Sequence, residues 1–202
     1  MTRPQRRVVV GGAILLVAVV LVVRVVAPSP IVDLALLVLT DLEEFSLEGY
    51  GRLLVVAPHF DDEALGAGGL ILAATRQGID VRVAIATNGD NYLQATIRYL
   101  RQPIPTRQDF VRMGQIRQAL EVLGVAPEDV IFLGYPERGL PALLGEAHWS
   151  TEQPYRATFT RAIRSPFPVT YNAEAVYAGA DLYGDLLSLL RTFRPDLIVL
   201  PH

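Results

Sequence analysis

Residues 52–66 read RLLVVAPHFDDEALG, an apolar run that passes into an acidic turn. The first six residues are mostly apolar, which is typical of a short strand covered on both faces. Small and apolar residues then recur at helical spacing through residues 63–77. A strand that ends in a tight turn before a helix would place His59, Asp61 and Asp62 in the crevice at the carboxyl edge of a sheet.

The same alternation continues through the rest of the chain. Apolar runs predict three further strands and helical spacing predicts two further helices, with the strands at 80–86, 129–133 and 197–200 and the helices at 107–123 and 176–193. Residues 134–175 are rich in prolines and loops. Gly66, Gly68 and Gly69 are expected to let the first helix approach the sheet closely. The alternation predicts an α/β fold, with a Rossmann-like, mostly parallel sheet and helices on both faces.

The composition removes several functional classes. The 202 residues are 51% hydrophobic and 19% charged, so the chain can bury enough apolar surface to fold. The net charge of −3 provides no basic patch, which argues against nucleic acid as a partner. The sequence contains neither cysteine nor lysine, which excludes disulfides, thiol nucleophiles and Schiff-base chemistry. Its only histidines are His59, His148 and His202, so any histidine chemistry draws on these.

The amino-terminal segment is typical of a membrane anchor. Residues 8–23 are sixteen residues without a polar side chain, and three arginines precede them. A helix that spans a membrane needs about 20 apolar residues. The apolar run reaches that length if residues 25–27 are included and the side chain of Arg24 extends to the membrane–water interface. We therefore expect residues 1–28 to form a single-pass transmembrane helix, with a cleaved signal peptide as the alternative. The preceding arginines predict an N-terminus inside the cell and a domain outside the cytoplasm.

A connecting helix is predicted after the anchor, within residues 29–50. Acidic and polar residues between 31 and 48 share one helical face and leave a wide apolar stripe. This helix would lie along the bilayer surface or pack on the globular domain, and the sequence leaves both arrangements open. The globular domain is expected over residues 51–202.

The acidic turn after the first strand has the chemistry of a hydrolytic metal site. The imidazole of His59 and the carboxylate of Asp62 can converge on one cation, and both groups suit zinc. A further carboxylate, Asp61, would then be placed to take a proton from an activated water. The alternative is that Asp61–Glu63 form an acidic helix start that offsets the helix dipole. Residue types alone leave both interpretations open, because two ligands fall short of a zinc site.

Residues 58–66, PHFDDEALG, resemble the signature of the PIG-L (LmbE-like) N-deacetylase family, in which PHPDDE follows the first strand. Phe60 stands here in place of the usual proline. Four weaker landmarks of the family follow in the same order: TNGD at 87–90, RMGQ at 112–115, LGYPE at 133–137 and PDLIVLPH at 195–202. In RMGQ, Gln replaces the family's Glu, and in LGYPE, Glu replaces the family's Asp. The resemblance covers residues 53–202.

The resemblance implies a zinc-dependent hydrolase that removes an acetyl group from an N-acetylglucosamine-like sugar. It implies that His59 and Asp62 bind zinc, that Asp61 is the general base and that Arg112 faces the substrate. For Arg112, a position on a solvated helix face is the alternative that the sequence leaves open. The family's third zinc ligand is a histidine in an HxDH motif beyond the last strand, and His202 lies too early to match it. We therefore expect a domain that is incomplete at its C-terminal end, with weakened metal binding and activity.

Two other functions are consistent with the sequence. A catalytically degenerate module that binds a sugar or a partner on a membrane anchor would need no metal. A phosphohydrolase or nucleotide site built on Asp90 or Glu137 ranks last, because the sequence has no glycine-rich phosphate loop followed by lysine. The expected partners are therefore an acetylated amino sugar or glycoconjugate and, through the N-terminal helix, a membrane.

Overall fold

A four-stranded sheet organises the residues that the computed structural model describes, which are 45–89, 107–158 and 160–200. Its strands are β1 (Arg52–Ala57), β2 (Asp80–Thr87), β3 (Val130–Tyr135) and β4 (Leu197–Val199). They are ordered β3-β2-β1-β4, and every pairing between them is parallel. The predicted parallel sheet is confirmed, and the carboxyl ends of its strands lie at one edge.

Four helices accompany the sheet within the described residues. They are α1 (Asp62–Arg76), α2 (Arg107–Val122), α3 (Leu140–Leu143) and α4 (Gly179–Phe193), with short 3-10 turns at Pro127–Asp129 and Glu146–His148. α1, α2 and α4 confirm the three predicted helices. α4 begins later than predicted because the N–H of Val176 donates to Asp181 Oδ2 at 2.7 Å. Val176 also bridges Arg164, which keeps the chain before α4 extended.

Helices cover both faces of the sheet, as the sequence predicts. On one face, Ile71 of α1 and Leu120 of α2 share a buried cluster with Leu53 of β1. On the other face, Leu189 of α4 packs in a cluster with Leu54 of β1. Successive residues of a strand point to opposite faces, so β1 is buried on both sides. Full burial of each such leucine contributes about 1.5–3 kcal/mol relative to exposure.

The glycines of α1 do not have the packing role predicted for them. Among described atoms, a methyl group added at Gly68 would meet one leucine side chain, at 3.8 Å, and one added at Gly69 would meet nothing within 4 Å. Gly66 is exposed. The prediction that these glycines permit a close approach to the sheet is therefore wrong. The buried small residues of the helix are Ala67 and Ala74 instead.

Several sequence predictions concern residues outside the described ranges. The anchor at residues 1–28, most of the connecting helix at 29–50, and His202 all fall there. Within the described ranges, no helix combines the length and the apolar character needed to cross a bilayer. The anchor and the connecting helix up to residue 44 therefore stay predictions, whereas residues 45–50 form a loop and a turn, so the helix predicted within 29–50 does not extend to them.

Gly124 follows the end of α2 and packs closely against Thr75 of α1, so the fold should be sensitive to a larger residue at this position. Its φ is +87°, and a Cβ there would lie 2.9 Å from Thr75 Oγ1. That hydroxyl donates to Leu123 O at 2.7 Å. We expect Gly124→Ala to lower the free energy of unfolding by about 1–2 kcal/mol, because alanine is strained in a left-handed conformation. Urea denaturation measures the change.

Gly69→Ala is the matched control for this substitution. Gly69 lies inside α1 in open space, and alanine is favoured over glycine in helices by up to about 1 kcal/mol. This variant should be as stable as the wild type or more stable. A Gly124→Ala variant that unfolds at the same urea concentration as Gly69→Ala would contradict the packing described here.

Candidate active site

The turn between β1 and α1 holds the imidazole of His59 against a carboxylate. The backbone N–H of His59 donates to Asp62 Oδ2 at 2.9 Å, and His59 Nδ1 lies 3.0 Å from the same oxygen. Asp62 is the first residue of α1, so its side chain ties the strand end to the helix start. The structure thus brings together His59 and Asp62, the two residues that are predicted to be metal ligands.

Asp61 occupies a strained position between them. Its backbone is left-handed, with φ 116° and ψ −23°, a region that costs a non-glycine residue about 1–2 kcal/mol. In the described structure its side chain makes no capping hydrogen bond to the helix. The residue is exposed and lines a cavity. Strain of this kind concentrates at functional sites, where the surroundings enforce it.

Glu63 supports the turn from within the protein. Only 2% of this residue is exposed, and its Oε2 accepts a hydrogen bond from the backbone N–H of Asp61 at 3.1 Å. Burial raises the pKa of Glu63, although its own N–H and that of Asp61 favour the carboxylate and oppose the shift. Glu63 is therefore a structural residue, in agreement with the alternative interpretation of this acidic segment as a helix start.

Glu137 lies on the other side of His59, a contact that the sequence does not predict. Glu137 Oε1 is 3.6 Å from His59 Nε2, and Glu137 Oε2 accepts a hydrogen bond from Thr87 Oγ1 at 2.7 Å. The imidazole therefore lies between two carboxylates, those of Asp62 and Glu137. The position of Glu137 in the sequence could have indicated this contact. Residue 137 follows β3 just as residue 59 follows β1, and parallel strands end at the same edge of the sheet.

A cavity of about 310 Å³ opens beside this group. Residues that follow three neighbouring strands line it, together with one residue of α2: His59, Phe60 and Asp61 after β1, Gly89 after β2, Glu137 and Arg138 after β3, and Arg112. The structure thus places Arg112 at the same cavity as His59 and Asp61. A concave site at the carboxyl ends of parallel strands is where open α/β sheets bind ligands.

Phe60 gives the guanidinium of Arg112 a defined position. The Arg112 Cζ lies 5.0 Å from the centroid of the Phe60 ring, within the range of a cation–π contact. Phe60 is buried and meets Phe132 edge to face, at a centroid distance of 6.1 Å. A Cβ at Gly89 would come within 3.2 Å of Arg112 Nη1 and 3.3 Å of Phe60 Cε2. Glycine at position 89 therefore leaves room for this pair.

Buried polar groups hold the ends of β2 and β3. Asn88 Nδ2 donates to Gly134 O and to Tyr177 Oη, both at 3.1 Å. Tyr135 Oη donates to Asp185 Oδ2 at 2.7 Å, and burial, together with this hydrogen bond, raises the pKa of the Tyr135 phenol. Because breaking a buried hydrogen bond leaves an unsatisfied polar group, this network fixes the strand ends that carry the site.

Of the remaining candidates, the structure describes His148. His148 Nδ1 is 3.0 Å from Gln153 O, and its ring meets Tyr155 edge to face at a centroid distance of 5.5 Å. His148 is not among the residues that line the cavity. Asp90 and His202 fall outside the described ranges.

His59 and Asp62 are the described residues best placed to hold a metal ion. Imidazole nitrogen and carboxylate oxygen are donors that zinc accepts, and here they lie 3.0 Å apart. In the part of the chain that the structure describes, no group of three or more histidine, aspartate and glutamate side chains is arranged to hold a metal. The pair fits part of a zinc coordination shell.

Comparison with known proteins identifies a family and several relatives of this chain. A family model described as PIG-L, GlcNAc-PI de-N-acetylase, matches residues 54–202. A curated protein of Bacillus cereus, probable N-acetyl-alpha-D-glucosaminyl L-malate deacetylase 2, is 34% identical over 91 residues, which are 44% of this chain and 39% of that protein. The 1D-myo-inositol 2-acetamido-2-deoxy-alpha-D-glucopyranoside deacetylase 1 of Saccharopolyspora erythraea is 31% identical over 156 residues, 73% of this chain and 45% of that protein.

The chain spans less than half the length of either curated relative. The solved structure of N,N'-diacetylchitobiose deacetylase from Pyrococcus horikoshii matches with a TM-score of 0.46 and 19% identity, over 82% of this chain and 46% of that one. This structural similarity is too low to indicate a function. The family model, in contrast, covers most of the chain, and it does so from β1 onward. The protein therefore belongs to the PIG-L family.

Proposed function

We propose that this chain is a metal-dependent N-deacetylase, which hydrolyses the acetamide of an acetylated amino sugar. The observation that carries the proposal is the turn that presents His59, Asp61 and Asp62 beside a cavity, in a chain of the PIG-L family. Both curated relatives are named as deacetylases. The same turn begins at the end of a buried strand, so its geometry is set by the core.

His59 and Asp62 are the residues that would hold the metal, which we propose to be zinc. When bound, zinc supplies a Lewis acid that polarises a carbonyl group. The protein keeps the two donors together through the bond from the His59 N–H to Asp62. Glu137 faces the other ring nitrogen of His59 at 3.6 Å, so the imidazole is oriented from both sides.

Asp61 acts as the general base. Its carboxylate is exposed in the cavity, and Glu63 holds its backbone N–H. Asp61 takes a proton from the attacking water and returns it to the leaving nitrogen. The C–N bond of the amide breaks, and acetate and a free amine are released.

Arg112 binds the sugar part of the substrate. Its guanidinium lines the cavity and lies over the Phe60 ring. The planar fork of N–H donors suits hydroxyl or phosphate oxygens. The aromatic surface restricts the motion of the side chain, which lowers the entropy lost when a substrate binds.

A sugar- or partner-binding module without catalytic activity is the second candidate. It is favoured by one observation: among the described residues, no group of three histidine, aspartate and glutamate side chains is arranged to hold a metal ion. Such a module would release no free amine and would need no metal. Metal content and turnover of the full chain therefore separate the two candidates.

Asp61→Asn removes the proposed base while keeping the size of the side chain. We expect kcat for deacetylation of N-acetylglucosamine to fall by about 100- to 10,000-fold, because an amide cannot accept the proton. Zinc bound per chain, measured by mass spectrometry, should stay at the wild-type value because Asp61 is not a proposed ligand. The released amine is measured by fluorescent labelling.

Asp80→Asn is the matched control. Asp80 is an exposed aspartate at the first residue of β2, at the opposite end of the strand from the cavity. This variant should keep wild-type turnover. If Asp61→Asn and Asp80→Asn turn over equally fast, Asp61 is not the base.

We also propose that residues 1–28 anchor the chain in a membrane with the domain outside the cytoplasm. The proposal is supported by the apolar run at residues 8–23 and the arginines before it. The full chain with a C-terminal tag should stay with the membrane after an alkaline wash, and protease added outside intact spheroplasts should remove the tag. Full-length protein in the soluble fraction would contradict the anchor, and a shortened soluble product would support a cleaved signal peptide.

A further inference from the structure

We propose that a cleft beside α4, outside the catalytic cavity, binds an uncharged oligosaccharide. The cleft has a volume of about 570 Å³. It is lined by two residues that precede α4 and by one side of the helix: Tyr171, Asn172, Ala180, Asp181, Gly184 and Ser188. The described residues that line this cleft are different from those that line the cavity beside His59. The inference does not rest on the proposed deacetylase activity, because it concerns a separate binding site.

Small residues of α4 form the floor of the cleft. Ala180, Gly184 and Ser188 are spaced four residues apart, so they lie along one face of the helix. Among described atoms, a Cβ added at Gly184 would meet nothing within 4 Å. The ring of Tyr171, a residue that is 39% exposed, borders this floor, with its hydroxyl 3.1 Å from Ser188 Oγ. The cleft therefore has an open floor beside an aromatic ring.

Two further aromatic rings are exposed on the adjacent face of α4. Trp149 is 45% exposed and Tyr183 is 58% exposed, and their ring centroids lie 6.4 Å apart. Tyr183 directly precedes Gly184 in the helix, and the N–H of Ala180 donates to Trp149 O at 3.0 Å. The aromatic pair therefore lies next to the floor of the cleft. Tryptophan and tyrosine combine an apolar ring with a polar group, which makes them frequent at binding surfaces.

Backbone contacts hold the aromatic side chains in place before any ligand binds. A Cβ at Gly179, the first residue of α4, would lie 2.5 Å from Trp149 Cε3, so glycine lets the indole pack directly on the helix. On the other side of the cleft, the N–H of Tyr171 donates to Phe132 O at 2.8 Å, which ties this residue to β3. Because these side chains are already ordered, binding of a ligand costs little further entropy.

The hydrogen-bonding groups around the cleft suit hydroxyl groups. Asp181 Oδ2 accepts the N–H of Val176 at 2.7 Å, and Asp181 Oδ1 has no hydrogen-bond partner among the described residues. Within the same part of the chain, the indole N–H of Trp149 and the hydroxyl of Tyr183 also have none. A ligand would therefore meet an acceptor and two donors beside aromatic ring faces. A sugar ring matches both features, since it carries hydroxyl groups around an apolar C–H face.

The charges at the cleft favour an uncharged sugar over an anionic partner. The charged residues among those that line it are Asp181 and Asp185, both acidic. Their carboxylates already accept hydrogen bonds from neutral groups, those of Val176 for Asp181 and those of Tyr135 and Asn172 for Asp185. Tryptophan and tyrosine are also common at membrane interfaces, but carboxylates at this position would repel anionic lipid headgroups.

Trp149 provides a direct optical probe, because it is the only tryptophan of the chain. We expect N,N',N''-triacetylchitotriose, titrated into the full chain, to shift the emission of Trp149 with saturation, and titration calorimetry to give the same Kd. Phosphatidylglycerol vesicles should leave the emission unchanged. A response to the vesicles and none to the trisaccharide would assign the surface to a membrane and overturn the inference.

Tyr183→Ser is the informative variant, because it removes one exposed ring and leaves the core intact. It should weaken binding of the trisaccharide by about tenfold. Asp181→Asn keeps an oxygen for the Val176 N–H but removes the second acceptor, and it should weaken binding by about fivefold. Val122→Ser is the matched control, since Val122 is 81% exposed on α2 and does not line the cleft. Equal affinity in Tyr183→Ser and Val122→Ser would overturn the inference.

Turnover separates this site from the catalytic cavity. Tyr183→Ser should keep the wild-type kcat/KM for the monosaccharide N-acetylglucosamine, because Tyr183 does not line that cavity. A tenfold fall in this kcat/KM would show that the surface belongs to the catalytic site and would overturn the inference. The emission change of Trp149 needs no turnover, so a chain that deacetylates no sugar would refute the proposed function and leave the binding result to decide the inference.

Discussion

One carboxylate oxygen, Asp62 Oδ2, organises the proposed site. It accepts the backbone N–H of His59 at 2.9 Å and lies 3.0 Å from the ring of the same residue. Because Asp62 begins α1, this pair of contacts sets the strand-to-helix turn and the imidazole orientation together. The left-handed backbone of Asp61 lies between the two residues, and buried Glu63 holds its N–H. Strain, burial and a charged cluster are therefore parts of one local structure.

The sheet order extends this local structure to neighbouring strands. β2 lies between β1 and β3, and Thr87 at the end of β2 donates to Glu137, which follows β3 and faces His59. Residues distant in sequence meet because parallel strands end at the same edge. The deeper polar contacts of Asn88 hold β2 to β3 just below that edge. Arg112 comes from α2 and lies on Phe60, so the core also supports the residue proposed to bind the sugar.

The sequence predicted the elements well because the spacing of apolar residues follows burial. β1 has its predicted bounds, and the predicted β2 and β3 are present with longer carboxyl ends. The pairing of His59 with Asp62 was predictable, since both belong to one turn. The contact between Glu137 and His59 was not predictable, because it depends on the order of the strands in the sheet. The left-handed backbone of Arg138, with φ +60°, was not predictable either, because arginine gives no signal for it. The packing prediction for Gly68 and its neighbours failed because α1 faces the sheet with alanine instead.

The proposed chemistry depends on the β1–α1 turn being a metal site. The most direct test is a crystal of the full chain grown with zinc, measured at the zinc absorption edge. We expect an anomalous peak at about 2.0–2.2 Å from a ring nitrogen of His59 and from a carboxylate oxygen of Asp62. A peak bound by other residues, or no peak while the ring of His59 still contacts Asp62, would show that this turn is not the metal site.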